Sequence, residues 1–207
     1  MSELKNITLG VCGSIAAHKA IDLASLLTKS GFIVNVILTE DAEEFVRPLP
    51  FSTLTRHPVV RSLYDKNKVS TMHVNIADST DLLLIAPATA NTIAKLACGI
   101  SDDPLSCTAL AINPETPILL APAMNGKMWS HPATQSNVGL LRDRGAQFIG
   151  PDKGMLSCGY EGVGRFWPVE GVFDKVLEVL KLNIRDINNS LKNLKKFNDV
   201  FSLQVFF

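Results

Sequence analysis

Strand-sized apolar runs that alternate with helix-patterned segments constrain this chain more than any other feature. Residues 7–12 make a first buried run that ends in Gly13-Ser14. Helical spacing follows over 15–29 through Ile15, Ala20, Leu23, Leu26 and Leu27, and stops at Gly31. A second run at 32–38 leads into Thr39-Glu40-Asp41, a helix entry. Further strands are predicted at 82–86, 118–121 and, briefly, 146–149. Helical patterns fill 91–98, 104–111, 126–129 and 132–144, and 170–181 reads as a terminal amphipathic helix. Prolines interrupt 48–65, which reads as short helices and irregular chain, and the four glycines within 154–165 mark that stretch as a mobile flap. Wholly apolar strands alternating with helices predict an α/β fold. It is a doubly wound parallel sheet covered on both faces, in three layers and a single domain.

Such sheets bind ligands beyond the C-terminal ends of their strands, and four signals fall there: Gly13-Ser14, Thr39, Thr89 to Thr92, and Ala123 to Asn125. The chain length of 207 residues suits one domain, 1–182, followed by a tail or linker remnant, 183–207, where five asparagines, several lysines and an apolar end change the composition. Hydrophobic content of 46% against 19% charged predicts a large core. The mean hydropathy of +0.19 hints at buried subunit interfaces. A formal net charge of zero gives no basic excess for nucleic acid or an anionic membrane surface. No apolar run reaches the length of a membrane span, and the polar start does not resemble a signal peptide. Cys12, Cys98, Cys107 and Cys158 show neither CxxC pairing nor zinc-ligand spacing, so no metal is expected and a reducing cytoplasm fits free thiols.

Gly13-Ser14-Ile15 follows a strand and opens a helix, so its backbone N–H groups and the Ser14 hydroxyl can face an anion. The spacing is neither the dinucleotide fingerprint nor the P-loop, which leaves a mononucleotide phosphate or an ordinary strand–helix turn. Thr89-Ala90-Asn91-Thr92 is a second such loop, either a phosphate or ring contact or a plain N-cap. His73 is the histidine placed best to act as a base, whereas His18, His57 and His131 sit in weaker settings. Asn125, in Pro122-Ala123-Met124-Asn125, carries an amide that can donate to a carboxylate without adding charge. Cys158 lies among glycines in the flap, next to Ser157, as a proton donor or nucleophile or as an inert surface thiol. Cys98 and Cys107 fall in helical apolar settings. Arg165 either anchors an anionic group of a substrate or is merely exposed.

Together these motifs resemble the flavin-containing cysteine decarboxylases over about 7–180. The specific marks are the P-x-M-N-x-x-M-W pattern from Pro122 to Trp129, the His73 segment, the Pro87 to Thr92 loop and Cys158-Gly159. The resemblance implies a Rossmann-like (flavodoxin-like) fold. It also implies FMN at subunit contacts, in a homotrimer or a dodecamer built of trimers. The implied activity converts 4'-phosphopantothenoylcysteine to 4'-phosphopantetheine, in coenzyme A biosynthesis, by oxidation to a thioaldehyde, loss of CO2 and re-reduction of the enethiol. Carried over by residue, His73 is the base, Asn125 binds the substrate carboxylate and Cys158 is the final proton donor. Gly13, Ser14, Ile15, Thr39, Thr89, Ala90, Asn91, Thr92 and Ala123 line the FMN site, and Ser157 and Arg165 join Asn125 in holding substrate. A CTP-dependent ligase, as a separate chain or a fused domain, is the implied partner. The same family pattern also admits a peptidyl-cysteine decarboxylase. A non-catalytic flavin-binding subunit is a third reading, against which stands the lack of an acidic run in 183–207.

Overall fold

In the computed structural model, the described residues are 5–64, 72–156 and 159–183. Five parallel strands build the central sheet: β1 (Asn6–Val11), β2 (Ile33–Leu38), β3 (Leu82–Ala88), β4 (Ile118–Pro122) and β5 (Gln147–Phe148). Their spatial order is β2-β1-β3-β4-β5. The chain steps from β1 to one side and then returns to the other, so the order reverses between β1 and β3. At that point the loops leaving the two strands diverge and open a crevice at the strands' C-terminal ends.

The sheet is buried on both faces, and the strands show why their sequences are apolar throughout. Along β3, Leu82, Leu84 and Ala86 join the hydrophobic cluster of one face, and Leu83, Ile85 and Ala88 that of the other. The first face is covered by α1 (Lys19–Lys29) and α8 (Val169–Val179), which bring Leu23, Leu27, Val172 and Val176 to the core. The second is covered by α4 (Ala90–Cys98), α5 (Pro104–Ala111) and α7 (Pro132–Asp143), through Ile93, Leu105, Val138 and Leu141. Each such fully buried aliphatic side chain contributes about 1.5–3 kcal/mol. Two shorter helices complete the layers: α2 (Pro48–Thr55) packs on α1, and α3 (Met72–Ser79) packs on α5.

Several expected elements take a different form. The helix expected from Ile15 begins as a 3-10 turn over Ile15–His18, because Ser14 in extended conformation caps it with its own hydroxyl, and α1 starts only at Lys19. Strand β3 runs on through Pro87 to Ala88 rather than stopping at Ala86; the carbonyl of Pro87 accepts from the Cys12 amide at 3.3 Å. The glycine-rich flap is an antiparallel hairpin, β6 (Asp152–Met155) and β7 (Glu161–Arg165). Beyond α2, residue Val60 runs beside β2 and exchanges two backbone hydrogen bonds with it, Leu38 N to Val60 O and Val60 N to Val36 O. Arg61 holds this stretch in place with a two-pronged ion pair to Glu43. No helix among the described residues is long and apolar enough to cross a membrane. Of the tail expected from 183, residues 184–207 lie outside the described residues.

Candidate active site

The strand-end loops meet around a cavity of about 590 Å³. From β1 come Gly13, Ser14 and Ile15; from the start of α4, Thr89, Ala90 and Asn91; and from the end of β4, Ala123, Met124 and Asn125. Each loop is held by local chemistry. Ser14 Oγ accepts from the Ala16 amide at 3.3 Å and donates to the Ala123 carbonyl at 3.4 Å, tying the β1 loop to the β4 loop. Gly13 is dictated by a close approach: a Cβ there would stand 2.4 Å from Asp41 Cβ and 2.9 Å from the Asp41 backbone. Thr89 caps α4, its hydroxyl accepting from the Thr92 amide at 3.3 Å. Helix geometry gives the first-turn amides of Ala90 and Asn91 no intrahelical acceptor, so this end of α4 suits an anion.

Two candidate contact residues act from behind the wall. Thr39 is buried and does not line the cavity. Its hydroxyl caps the 3-10 turn Glu40–Glu44 by accepting from Ala42 N at 3.3 Å, which sets Asp41 and Phe45 on the cavity wall. Thr92 is likewise buried, and its hydroxyl donates to Cys12 Sγ at 3.1 Å. Burial pushes the Cys12 thiol up to about 11, against the partial opposition of the Thr92 hydrogen bond, so this thiol stays protonated and inert. His73 sits half-buried on α3 and is not among the cavity-lining residues of the single chain. Cys158 and Ser157 lie outside the described residues. Cys98 departs from its expected apolar setting: it is exposed at the C-terminal end of α4, beside Gly99 in left-handed conformation.

The outer wall is the hairpin, which contributes Met155, Leu156, Gly164 and Arg165 and leads into Phe166. It docks on the β4 loop through the Met124 amide, which donates to the Gly164 carbonyl at 2.9 Å. The approach is so close that a Cβ on Gly164 would lie 2.2 Å from the Met124 oxygen. A second contact joins the same two segments: the Tyr160 hydroxyl donates to Asn125 Oδ1 at 2.9 Å. Asn125 Oδ1 also accepts from the Lys127 amide at 2.9 Å, capping the short helix α6 (Gly126–Trp129). Arg165 is an exposed residue of the cavity rim.

Sequence reasoning missed Tyr160, His18, Lys19, Asp41 and Phe45. His18 and Lys19 reach the cavity because the 3-10 turn rotates them relative to a regular helix, with His18 Nδ1 2.8 Å from the Ile15 carbonyl and the Lys19 ammonium 5.9 Å from the Phe166 ring centre. Apolar Ile15, Phe45, Met124 and Met128 share the lining with the strand-end residues Gly13, Ser14, Thr89 and Asn91. That pairing of apolar walls with an anion-ready end suits a planar ring bearing a phosphate. No group of three or more His, Cys, Asp or Glu able to hold a metal occurs among the described residues.

Strand order, crevice and donor set together define a mononucleotide-binding α/β protein. The chain belongs to the flavoprotein family, whose model matches residues 1–181. It is 45% identical over 173 residues to the coenzyme A biosynthesis bifunctional protein CoaBC of Bacillus subtilis, an alignment covering 83% of this chain and 42% of that protein. It is 42% identical over 177 residues to a probable phosphopantothenoylcysteine decarboxylase of Streptococcus mutans, covering 85% of this chain and 99% of that one. The chain thus spans less than half of the bifunctional relative and nearly all of the shorter one. Among solved structures, a PPC decarboxylase mutant complexed with pantothenoylaminoethenethiol superposes with a TM-score of 0.75 at 28% identity, covering 84% of this chain and 97% of that one. The FMN-dependent cysteine decarboxylase SpaF superposes with a TM-score of 0.71 at 31% identity, over 86% and 98% of the two chains.

Proposed function

We propose that this chain is an FMN-dependent decarboxylase that converts 4'-phosphopantothenoylcysteine to 4'-phosphopantetheine in coenzyme A biosynthesis. One observation carries the reading: a cavity at the β1/β3 switch point has Asn125, its carbonyl edge pinned by two donors, set at the foot of a hairpin wall. The family match and the relatives named for this activity support it.

The residues present fit FMN. Gly13, Ser14 and the α4 start through Thr89, Ala90 and Asn91 would hold its phosphate and ring edge, with Ile15 and Ala123 against the ring and Thr39 and Thr92 bracing the loops from behind. When bound, FMN supplies a reversible two-electron oxidant for the sulfur-bearing end of the substrate, which is what makes loss of the adjacent carboxylate chemically accessible. The protein's share is orientation and proton handling. Asn125 donates N–H groups to the carboxylate; being neutral, it orients the leaving group without over-stabilising the anion that must depart. Arg165, with Ser157, holds the substrate from the hairpin side. Cys158 delivers the proton that completes the product. His73 serves as the base from a neighbouring copy, a role consistent with its absence from the cavity of a single chain. The working unit in this reading is a cytoplasmic homotrimer, alone or assembled into a dodecamer, and the ligase step belongs to a separate chain or a fused domain.

The test is an absorbance spectrum of the purified protein, followed by mass spectrometry after incubation with 4'-phosphopantothenoylcysteine. A flavin spectrum and a product lighter by one CO2 are expected. A colourless protein, or a yellow one that leaves the substrate intact, overturns the reading. The likeness to SpaF makes a peptide ending in cysteine the second substrate to try, and competition between the two substrates separates the readings.

A further inference from the structure

Tyr160 has no part in the chemistry just described, yet its hydroxyl reaches across 35 positions to the residue on which that chemistry turns. A carboxamide has an acceptor end and a donor end. The Lys127 N–H can only donate, so the atom 2.9 Å from it is the Asn125 oxygen, and this settles which way the amide faces. The Lys127 contact is a local bond, two residues along the chain. The Tyr160 contact arrives from another segment and holds the same oxygen from a second direction. Tyr160 packs close to two glycines that leave it room: its ring lies 3.2 Å from where a Cβ on Gly162 would stand, and its hydroxyl 3.6 Å from the corresponding point on Gly126. The backbone clasp between Met124 and Gly164 brings the two segments together within a residue or a few of both partners.

We propose that Tyr160 is a positioning residue: it fixes the Asn125 carbonyl and so turns the N–H edge of the amide toward the substrate's carboxylate, making the site selective for the acid over the decarboxylated product. This inference rests on the function proposed above. Removing only the hydroxyl, in Tyr160→Phe, leaves the ring packing and the Lys127 bond in place. The loss is that of one hydrogen bond, about five- to tenfold in affinity.

The test uses the flavin-loaded protein and two ligands measured by calorimetry. One is 4'-phosphopantothenoylserine, which keeps the carboxylate but replaces the thiol by a hydroxyl; the other is 4'-phosphopantetheine, which lacks the carboxylate. Tyr160→Phe is expected to raise the Kd of the first about five- to tenfold, to leave that of the second unchanged, and to retain a full complement of flavin. In an Asn125→Ala background the same substitution should add nothing, because the tyrosine acts through the amide. Equal weakening of both ligands, no weakening of either, full additivity with Asn125→Ala, or loss of flavin from Tyr160→Phe each overturns the assignment. Wild-type protein that binds neither ligand defeats the decarboxylase reading along with it; wild-type protein that binds the acid no better than Tyr160→Phe defeats the role of Tyr160 alone.

Discussion

The two walls of the cavity are made differently. The inner wall consists of loops leaving β1, β3 and β4, each continuous with a strand buried on both faces, and its Ser14, Thr89 and Thr92 hydroxyls are engaged in caps and loop-to-loop bonds. The outer wall is a two-stranded hairpin outside the main sheet, joined to the β4 loop by the hydrogen bond from the Met124 amide to the Gly164 carbonyl and by Tyr160 on Asn125. A wall that grows out of the core cannot shift without disturbing the sheet, and it suits a resident cofactor. A wall attached by a few bonds can be re-aimed without unfolding anything, and it suits the recognition of a substrate that must come and go.

If that contrast is right, damage to the two walls should be separable. The largest effect is expected from Gly13→Ala, which drives a methyl group into Asp41 on the inner wall. Stability should fall by about 1–3 kcal/mol and flavin should be lost, read by thermal unfolding and by the flavin absorbance of the purified variant. Gly164→Ala should part from it in flavin content. The clash with the Met124 oxygen displaces the hairpin, so stability should fall by a similar amount and turnover by about a hundredfold while flavin content stays close to wild type. If Gly164→Ala sheds flavin as readily as Gly13→Ala, the distinction between the walls fails.

Smaller effects sharpen it. Thr89→Ala removes the α4 cap and should cost about 1 kcal/mol, with weakened flavin binding and an unchanged KM for substrate. Cys12 offers a test by pH. Burial pushes its thiol up from the ordinary 9.0 to about 11 in the folded chain, so its contribution to stability is full below about pH 9 and is lost as the pH rises toward 11. In Cys12→Ser, which has no group to titrate there, that share of the alkaline loss in denaturant-melt stability should disappear. A thiol reagent applied to native protein should modify exposed Cys98 and leave Cys12 untouched.

Much of the inner wall was legible in the sequence and little of the outer one. Strands β1 to β4 announce themselves because burial on both faces leaves no room for polar residues, and the caps at Ser14, Thr39 and Thr89 are local devices, readable from neighbours along the chain. The hairpin escaped because its four glycines dilute the alternation that marks a strand, so the pairing of Asp152–Met155 with Glu161–Arg165 is not announced by the sequence. Pro87 likewise argued for a strand end at Ala86, although the chain carries on to Ala88. Thr39 and Thr92 were expected to line the site, yet neither lines the cavity: whether a buried hydroxyl faces a ligand or a neighbouring loop is decided by packing. Tyr160 could not be found at all, since its partner is 35 residues away and the contact exists only once the hairpin has folded back.

The short stretch at Val60, running beside β2, has a consequence for how copies of this chain can meet. It occupies backbone groups of Val36 and Leu38 on the outermost long strand, and the Arg61–Glu43 pair keeps it there. At the opposite border β5 is only two residues long. Among the described residues, neither border of the central sheet offers a long open row of amides and carbonyls, so copies do not readily zip together by prolonging that sheet, which is shielded from the ribbon-like stacking that exposed strands invite.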